Sequence, residues 1–175
     1  MEELDNHGTI ILNWSNNILV DPHLSVIRYV IEEVERQGHN TQVLDGIERV
    51  GWMLSAWSLA LSRSEKQKKP CLDDALALGR RVEAHKNFYG IRDCGVTVGG
   101  AVCPRPEKIN GLLVDLFAQV EVLSPLEFYK AFLEIHPFED GNGRTGKIIL
   151  NWCNDTLDAP VFPPNNLWGR EIRNP

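Results

Sequence analysis

Apolar residues recur every three or four positions along most of the chain, the spacing that places them on one face of an α-helix. The pattern begins at Asp21-Pro22, an N-cap followed by proline at the first helical position, and pauses at Gly38. It predicts two further helices, over residues 45–62 and 72–87. The predicted inward positions are Leu24, Ile27, Val30, Ile31, Val34, Ile47, Val50, Met53, Leu54, Trp57, Leu61, Leu76, Leu78 and Val82. The first half of the chain is therefore predicted to be helical.

Helical spacing stops at residues 89–106, YGIRDCGVTVGGAVCPRP. Val96 and Val98 flank Thr97 with the two-residue period of a strand, and the Gly-Gly pair that follows is a turn typical of hairpins. One short β-hairpin is therefore predicted within an otherwise helical chain.

Helical spacing returns after residue 106 and predicts three more helices. The first contains apolar residues between 109 and 117, the second follows the cap Ser124-Pro125, and the third runs from about Gly143 to about Thr156. The residues beyond are rich in proline and mostly irregular. The predicted fold is mainly α, a helical bundle with one short β-hairpin before the loop at residues 136–143.

The bulk composition narrows the class of protein. A length of 175 residues suits one domain, and 43% hydrophobic with 24% charged residues is ordinary for a globular chain. A net charge of −6 argues against a dedicated nucleic-acid binder, which is usually basic. The acidic start MEELDNHG is unlike a secretion signal, and no run approaches the roughly 18 apolar residues of a membrane span. We therefore expect a soluble, cytoplasmic protein with no nucleic-acid or membrane partner.

The four cysteines, Cys71, Cys94, Cys103 and Cys153, include no C-x-x-C pair. Cys94 and Cys103 flank the predicted hairpin, so a disulfide between them is one alternative. In a chain without a secretion signal, free thiols are favoured.

The stretch HPFEDGNGRTGK, residues 136–147, fits three phosphate-binding patterns. Gly141, Gly143 and Gly146 form the dinucleotide pattern G-x-G-x-x-G, and the spacing up to Lys147 resembles a P-loop. Both of these patterns require a strand before the first glycine, whereas the upstream residues here read as helix. A P-loop also needs serine or threonine after its lysine, where this chain has isoleucine. The first two patterns are therefore disfavoured.

The chemistry of this stretch suits a phosphate anion. Gly141, Asn142 and Gly143 begin a predicted helix, whose first N–H groups lack internal partners and favour an anion. Arg144 adds a forked cation for phosphate oxygens. Asp140 would repel that anion unless a cation such as Mg²⁺ lay between them; as an alternative, it caps the helix without a metal.

A histidine comes directly before this predicted anion site. The neutral imidazole of His136 can accept a proton from an incoming hydroxyl near pH 7. The hydroxyl oxygen could then attack the phosphorus of a bound phosphate group. Transfer of this kind needs mainly positioning and charge neutralisation, which these residue types supply.

The third pattern, H-x-F-x-[DE]-G-N-G-R-x-x-R, is the longest match. Its final arginine is replaced here by Lys147, and the matching residues are His136, Phe138, Asp140, Gly141, Asn142, Gly143 and Arg144. The run resembles the signature of the Fic family, most of whose members transfer AMP from ATP to a protein hydroxyl. The preceding hairpin and helix resemble the family's flap and the helix after it.

The resemblance implies a role for each matched residue. His136 would be the general base, Asp140 the Mg²⁺ ligand, and Gly141 to Gly143 the phosphate cradle, with Asn142 inside it. Arg144 and Lys147 would contact the outer phosphates, and Phe138 would anchor the loop in the core. ATP would be the co-substrate, and the acceptor would be a serine, threonine or tyrosine of a target protein.

The resemblance also implies a domain organisation and a docking site. We expect one Fic-type domain over residues 1–175, with its core at about 70–158 and regulatory helices at 20–63. A target segment would pair with the flap at Val96, Thr97 and Val98 by strand addition. The alternative is that these residues only pack the hairpin.

Lysine at position 147 opens two alternatives to AMP transfer. Lysine presents a point charge where arginine presents a planar fork, so its grip on the γ-phosphate is weaker. The chain could then be a weak or inactive nucleotide-binding regulatory module. A phosphotransferase is the other alternative, but members that phosphorylate tend to lose the Gly-Asn-Gly-Arg run, which is intact here.

Many family members carry an inhibitory helix with the pattern [ST]-x-x-x-E-[GN], whose glutamate pairs with the final arginine of the signature. Thr41 to Gly46 read T-x-x-x-D-G, which makes Asp45 the predicted inhibitory partner of Lys147. Ordinary capping of a helix start is the alternative reading. A separate antitoxin-like partner of a toxin-like enzyme, no inhibition at all, and a homo-oligomer also remain open.

Overall fold

A computed structural model describes residues 23–165 and residue 167. Within them the elements follow the order α1 (Leu24–Arg36), α2 (Leu44–Ser64), α3 (Leu72–Val82), β1 (Thr97–Val98), β2 (Ala101–Val102), α4 (Pro106–Phe117), α5 (Pro125–Ile135) and α6 (Asn142–Cys153). The predicted mainly α fold with one short hairpin is confirmed. None of the described helices combines the length and the apolar character needed to cross a membrane.

The core forms where α2 contacts α1, α3 and α6, and where α5 contacts α4 and α6. Trp57 of α2 is fully buried, and its indole N–H donates to the backbone oxygen of Leu157 at 2.9 Å. Two residues predicted to face inward, Leu24 and Ile47, are instead 71% and 54% exposed. Both lie in the first turn of a helix, where the apolar face has not yet met its neighbour.

Helix α3 ends five residues earlier than the spacing predicts. The chain leaves the helix at Glu83, with φ −143° and ψ 69°. The Glu83 carboxylate is fully buried between Arg49 and Arg144. Asn87 donates its side-chain N–H to the backbone oxygen of Gly79 at 2.9 Å, beside the last helical bond, which Glu83 donates to the same oxygen at 3.4 Å. Tertiary contacts therefore override helical periodicity at this point.

The start of α1 lies at the edge of the described residues. The helix begins at Leu24 after the N-cap His23. The predicted cap Asp21-Pro22 lies outside the described residues.

The hairpin has the predicted Gly-Gly turn. Thr97 pairs with Val102 and Val98 with Ala101, while Gly99 and Gly100 adopt the positive φ values of 56° and 84° that the turn requires. All four cysteines are free, so the alternative of a disulfide across the hairpin is not realised.

Candidate functional site

His136 lies where α5 ends and the signature loop begins. It is the C-cap of α5 and adopts a left-handed conformation, with φ 51° and ψ 62°. Its backbone N–H still donates to Phe132 at 3.1 Å. Left-handed backbone is uncommon outside glycine and is maintained by surrounding contacts. The conformation turns the chain at His136, so that the loop leaves the helix axis.

Arg92 holds this turn in place. Its Nε donates to the backbone oxygen of His136 at 2.7 Å, and its own backbone N–H donates to that of Pro137 at 2.9 Å. The two other guanidinium nitrogens donate to Cys94 at 2.6 Å and to Pro104 at 2.8 Å. One buried arginine thus ties the signature loop to both ends of the hairpin. Sequence reasoning missed Arg92, because nothing in RDCGV distinguishes it from a surface residue.

Phe138 and Asn142 close the loop on itself. The Phe138 ring is fully buried and lies directly on Gly79, where an added Cβ would overlap it. The Asn142 side chain accepts from the backbone N–H of Phe138 and donates to its backbone oxygen, both at 2.9 Å. Phe138 is therefore a core anchor as predicted, while the Asn142 amide is occupied inside the loop rather than turned towards a ligand.

The first turn of α6 is the predicted anion site. Gly141 is the N-cap with φ 74°, and a Cβ there would lie 2.9 Å from Val82. Thr145 donates the first helical bond, to Gly141 at 2.9 Å. The N–H groups of residues 142–144 are those that a helix start leaves without an internal partner. They form a cradle of backbone donors with the positive end of the helix dipole.

Asp140 faces this cradle from the loop. One carboxylate oxygen, Oδ1, accepts from the backbone N–H of Gly141 at 2.6 Å, and the other, Oδ2, pairs with Lys86 Nζ at 2.5 Å. Burial raises the pKa of Asp140, but Lys86 and the Gly141 bond outweigh that effect and lower the pKa below its usual value. The carboxylate is therefore ionised at neutral pH.

The Asp140 carboxylate also suits a Mg²⁺ ion whose other ligands would come from a substrate and from water. The described part of the chain has no cluster of three His, Cys, Asp or Glu side chains able to hold a metal by themselves. Mg²⁺ is usually held by one or two carboxylates together with substrate phosphates and water. A single half-exposed carboxylate beside an anion cradle fits that arrangement.

Arg144 is turned away from solvent. Its side chain is 1% exposed and pairs with the buried carboxylate of Glu83, which also binds Arg49 at 2.6 and 2.7 Å. It also donates to the backbone oxygen of Val82 at 3.3 Å. Arg144 therefore braces the start of α6 against the end of α3, a contact that its place in the signature does not reveal.

Lys147 pairs with an acid, and that acid is Glu33 of α1. The Glu33 carboxylate is fully buried, contacts Lys147 Nζ and accepts from Gln37 Nε2 at 2.6 Å. The Gln37 amide lies 3.7 Å from where a Cβ of Gly143 would stand. The end of α1 therefore covers the first turn of α6, the position that phosphates would occupy.

Asp45 was the acid that the sequence predicted for this contact. Its side chain is 62% exposed and pairs with Arg49 at 3.1 Å and His39 at 3.4 Å. The structure does not bring Asp45 and Lys147 together, because α1 and not the first turn of α2 lies against the start of α6. The sequence could have indicated that Glu33 needs a charged partner, since this glutamate falls on the apolar face formed by Val26, Tyr29, Val30 and Val34. A charge on a buried face requires a partner.

The hairpin that carries the predicted docking residues is tied to the loop at its base, through the bonds of Arg92 to Cys94 and His136. Val96 is half-buried, Thr97 is exposed, and Val98 is 47% exposed. Their role in docking stays a prediction.

The imidazole of His136 is poised to act as a base. Burial lowers the pKa of His136 below the usual 6.5, and the nearby Arg92 guanidinium lowers it further. A hydrogen bond involving Leu133 and the charge of Asp140 oppose the shift without cancelling it. The neutral, proton-accepting form therefore predominates at neutral pH.

Comparison with protein families matches residues 70–153 to the Fic/DOC family. The chain is 33% identical over 113 residues to a protein adenylyltransferase Fic from Nematostella vectensis, covering 57% of the chain and 26% of the relative. It is 27% identical over 137 residues to a probable protein adenylyltransferase from Aquifex aeolicus (strain VF5), covering 71% of the chain and 42% of the relative. The chain thus spans less than half the length of these curated relatives.

Solved structures with this architecture include Fic-1 from C. elegans and a Fic domain containing signaling protein from Bacteroides thetaiotaomicron VPI-5482. The first has a TM-score of 0.56 at 22% identity, over 74% of this chain and 43% of that one. The second has a TM-score of 0.57 at 18% identity, over 74% of this chain and 61% of that one. At these identities the likeness concerns the fold alone.

Proposed function

The chain belongs to the Fic family, and from this premise we propose that it transfers AMP from ATP to a hydroxyl side chain of a target protein. The observation that carries the proposal is the position of His136. This histidine ends α5, and the short loop after it leads directly into the N–H cradle of α6. The proposed base and the proposed anion site are thereby held in one closed loop.

His136 accepts the proton of the target hydroxyl as the oxygen attacks the α-phosphorus of ATP. A bond forms between that oxygen and phosphorus, the bond from the α-phosphorus to the bridging oxygen breaks, and pyrophosphate leaves. The AMP group remains on the target through a phosphodiester bond. The N–H groups of residues 142–144 stabilise the charge on the phosphates.

Asp140 would hold Mg²⁺ through its carboxylate in this scheme. The ion would supply charge neutralisation on the phosphate oxygens. Arg144 has a different role from the one implied by the signature: its guanidinium stays on Glu83 and fixes the cradle. Lys147 is the signature cation that would contact an outer phosphate after it separates from Glu33.

We assign regulation to the N-terminal helices of the same domain. Glu33 neutralises Lys147, and Gln37 stands over the first turn of α6. A triphosphate in the cradle would place negative charge against the buried carboxylate of Glu33. Displacement of α1 would remove this acid and release Lys147. This arrangement makes Glu33 the proposed inhibitory residue.

Target docking is assigned to the hairpin. Thr97 and Val98 form a short, exposed strand of the hairpin. Arg92 fixes the spacing between hairpin and loop through its bonds to Cys94 and Pro104. A strand of the target that pairs there would bring its serine, threonine or tyrosine towards the base.

Labelled ATP distinguishes the proposal from its alternatives. The Glu33→Ala variant is incubated with Mg²⁺, a cell lysate and ATP labelled on either the α- or the γ-phosphate. Protein labelling from the α position that disappears in Glu33→Ala/His136→Ala supports AMP transfer. Labelling from the γ position alone would indicate a phosphotransferase. Binding of ATP without labelling from either position would indicate a nucleotide-binding regulatory module and overturn the proposal.

A further inference from the structure

The loop after α3 carries a cation that the signature does not include. Lys86 Nζ lies 2.5 Å from Asp140 Oδ2, and each side chain is 37% exposed. Resting on the proposed role of Asp140 in holding Mg²⁺, the geometry points to Lys86 as a resident counter-ion that a divalent cation must displace. Lys86 thereby raises the concentration of divalent cation that is needed to occupy Asp140.

The two oxygens of Asp140 differ in what they can offer a metal. Oδ1 already accepts from the backbone N–H of Gly141 at 2.6 Å and lies 3.6 Å from Arg144 Nη2. Oδ2 is the oxygen on which Lys86 sits. A divalent ion that binds at Oδ2 would meet the ammonium at close range, and two cations at one oxygen repel each other. Metal binding therefore requires Lys86 to leave.

Lys86 is the cation at Asp140 that is free to move. Arg144 is held by the buried carboxylate of Glu83 and is 1% exposed. The ammonium of Lys86, by contrast, stands on a flexible four-carbon stem whose side chain is partly in solvent. It can exchange the carboxylate for water with little rearrangement.

The loop that carries Lys86 stays attached when the ammonium leaves. Asn87 donates its side-chain N–H to the backbone oxygen of Asp140 at 2.9 Å and accepts from the Asp140 N–H at 3.4 Å. The backbone N–H groups of Lys86 and Asn87 both donate to Glu83, at 3.2 and 2.9 Å. These contacts hold the metal-binding carboxylate independently of the ion pair.

The expected change in affinity for a divalent ion follows from the exposure of the Lys86–Asp140 ion pair. Ion pairs between partly exposed side chains contribute about 0.2–1 kcal/mol, which corresponds to roughly 1.4-fold to fivefold in an affinity. Removal of the ammonium should therefore strengthen binding of a divalent ion by up to about fivefold. Lys86→Arg, which keeps the charge, should not strengthen it.

The experiment uses Mn²⁺ as the probe and does not depend on turnover. Paramagnetic broadening of the backbone amide signals of residues 140–143 is followed by NMR as Mn²⁺ is added to the protein without nucleotide. Lys86→Met should reach half-broadening at a lower Mn²⁺ concentration than the parent protein. Lys108→Met, which removes an exposed lysine from α4, is the matched control and should titrate like the parent protein.

Two results would overturn the inference, and they are distinguishable. If broadening disappears in Asp140→Asn but has the same midpoint in Lys86→Met as in the parent protein, Asp140 binds the ion and Lys86 does not compete. If broadening persists unchanged in Asp140→Asn, the metal role of Asp140 in the proposed function also fails.

Discussion

Glu33 and Lys147 are separated by 114 positions in the sequence and form an ion pair that joins α1 to the second turn of α6. Glu33 is fully buried, and the Lys147 side chain is 16% exposed. A buried carboxylate without a partner costs several kcal/mol. Each charge therefore holds the other in place, and the candidate phosphate site stays covered as long as α1 remains packed.

Replacement of this acid should open the site. Glu33→Ala removes the negative charge beside the cradle and leaves Lys147 available to a phosphate. We expect ATP to bind on the order of tenfold more tightly, within the range of about 5- to 150-fold that is typical of coupling between sites. Isothermal titration calorimetry with ATP and Mg²⁺ measures the change.

Glu32→Ala is the matched control for this prediction. Glu32 is the preceding residue, is exposed and pairs with Arg36 within the same helix. It should leave ATP affinity unchanged. Equal affinities in Glu33→Ala and Glu32→Ala would show that the buried acid does not restrict nucleotide access.

The sequence could predict that Lys147 has an acidic partner, but not which acid. The signature supplies the lysine, and the resemblance supplies the expectation of an acid facing it. The local pattern selected Asp45, because only that segment approximates the inhibitory motif. The choice of Glu33 depends on which face of α1 packs against α6. That is a tertiary contact between residues far apart in the chain, and helical periodicity alone does not specify it.

A side chain at Gly79 should displace the signature loop. A Cβ at this position would overlap the Phe138 ring, which is fully buried and cannot move outwards without opening the core. Gly79→Ala is therefore expected to destabilise the protein by about 1–3 kcal/mol, as overpacking of cores typically does. Urea unfolding followed by circular dichroism measures this free energy.

Gly51→Ala separates the clash from the general effect of alanine in a helix. Gly51 lies in α2, is exposed and has no atom within 4 Å of an added Cβ. This variant should be more stable than the parent protein by about 0.5–1 kcal/mol, since alanine favours helix over glycine. Similar stabilisation in Gly79→Ala would contradict the packing of Phe138 on Gly79.

Arg92 should support the geometry of the site without contacting substrate. Arg92→Lys retains the charge but cannot donate to His136, Cys94 and Pro104 together. Each buried carbonyl left without a donor costs about 1–3 kcal/mol. We expect a lower melting temperature, a lower kcat in the Glu33→Ala background and a smaller change in KM for ATP.

Arg105→Lys provides the comparison for Arg92. Arg105 is exposed at the start of α4, so the same substitution there should change neither the melting temperature nor kcat. If the two variants behave alike, the bonds of Arg92 to the loop and hairpin are not needed to position His136.

Elements defined by strong local signals matched the structure best. The Ser124-Pro125 cap and the Gly99-Gly100 turn act through their own backbone and nearest neighbours, so the sequence predicts them directly. The early end of α3 and the inward turn of Arg144 depend on Glu83, whose two guanidinium partners come from other helices. Such buried ion clusters join residues distant in the chain, and no local pattern encodes them.

The pH dependence of transfer should reflect the lowered pKa of His136. The base acts in its neutral form, which predominates above the pKa. Because burial lowers that pKa below 6.5, the rate should rise with pH and reach half of its maximum below pH 6.5. Asp140, whose pKa is also lowered, stays ionised over this range and does not add a second step.

Initial rates of AMP incorporation by Glu33→Ala between pH 5 and 8 test this expectation. Circular dichroism at each pH confirms that the fold persists. A half-maximal rate above pH 6.5 would contradict a buried neutral imidazole as the base.

The ion cluster around Glu83 should contribute strongly to stability. Glu83→Gln keeps the shape of the side chain but leaves the guanidinium groups of Arg49 and Arg144 without their shared counter-charge. Breaking a buried ion pair in this way typically costs about 3–5 kcal/mol. Glu139→Gln, an exposed substitution in the signature loop, should change the free energy of unfolding by less than about 0.5 kcal/mol. If urea unfolding gives the same free energy for both variants, Arg144 does not depend on Glu83, and its guanidinium would be available for the phosphate contact that the signature implies.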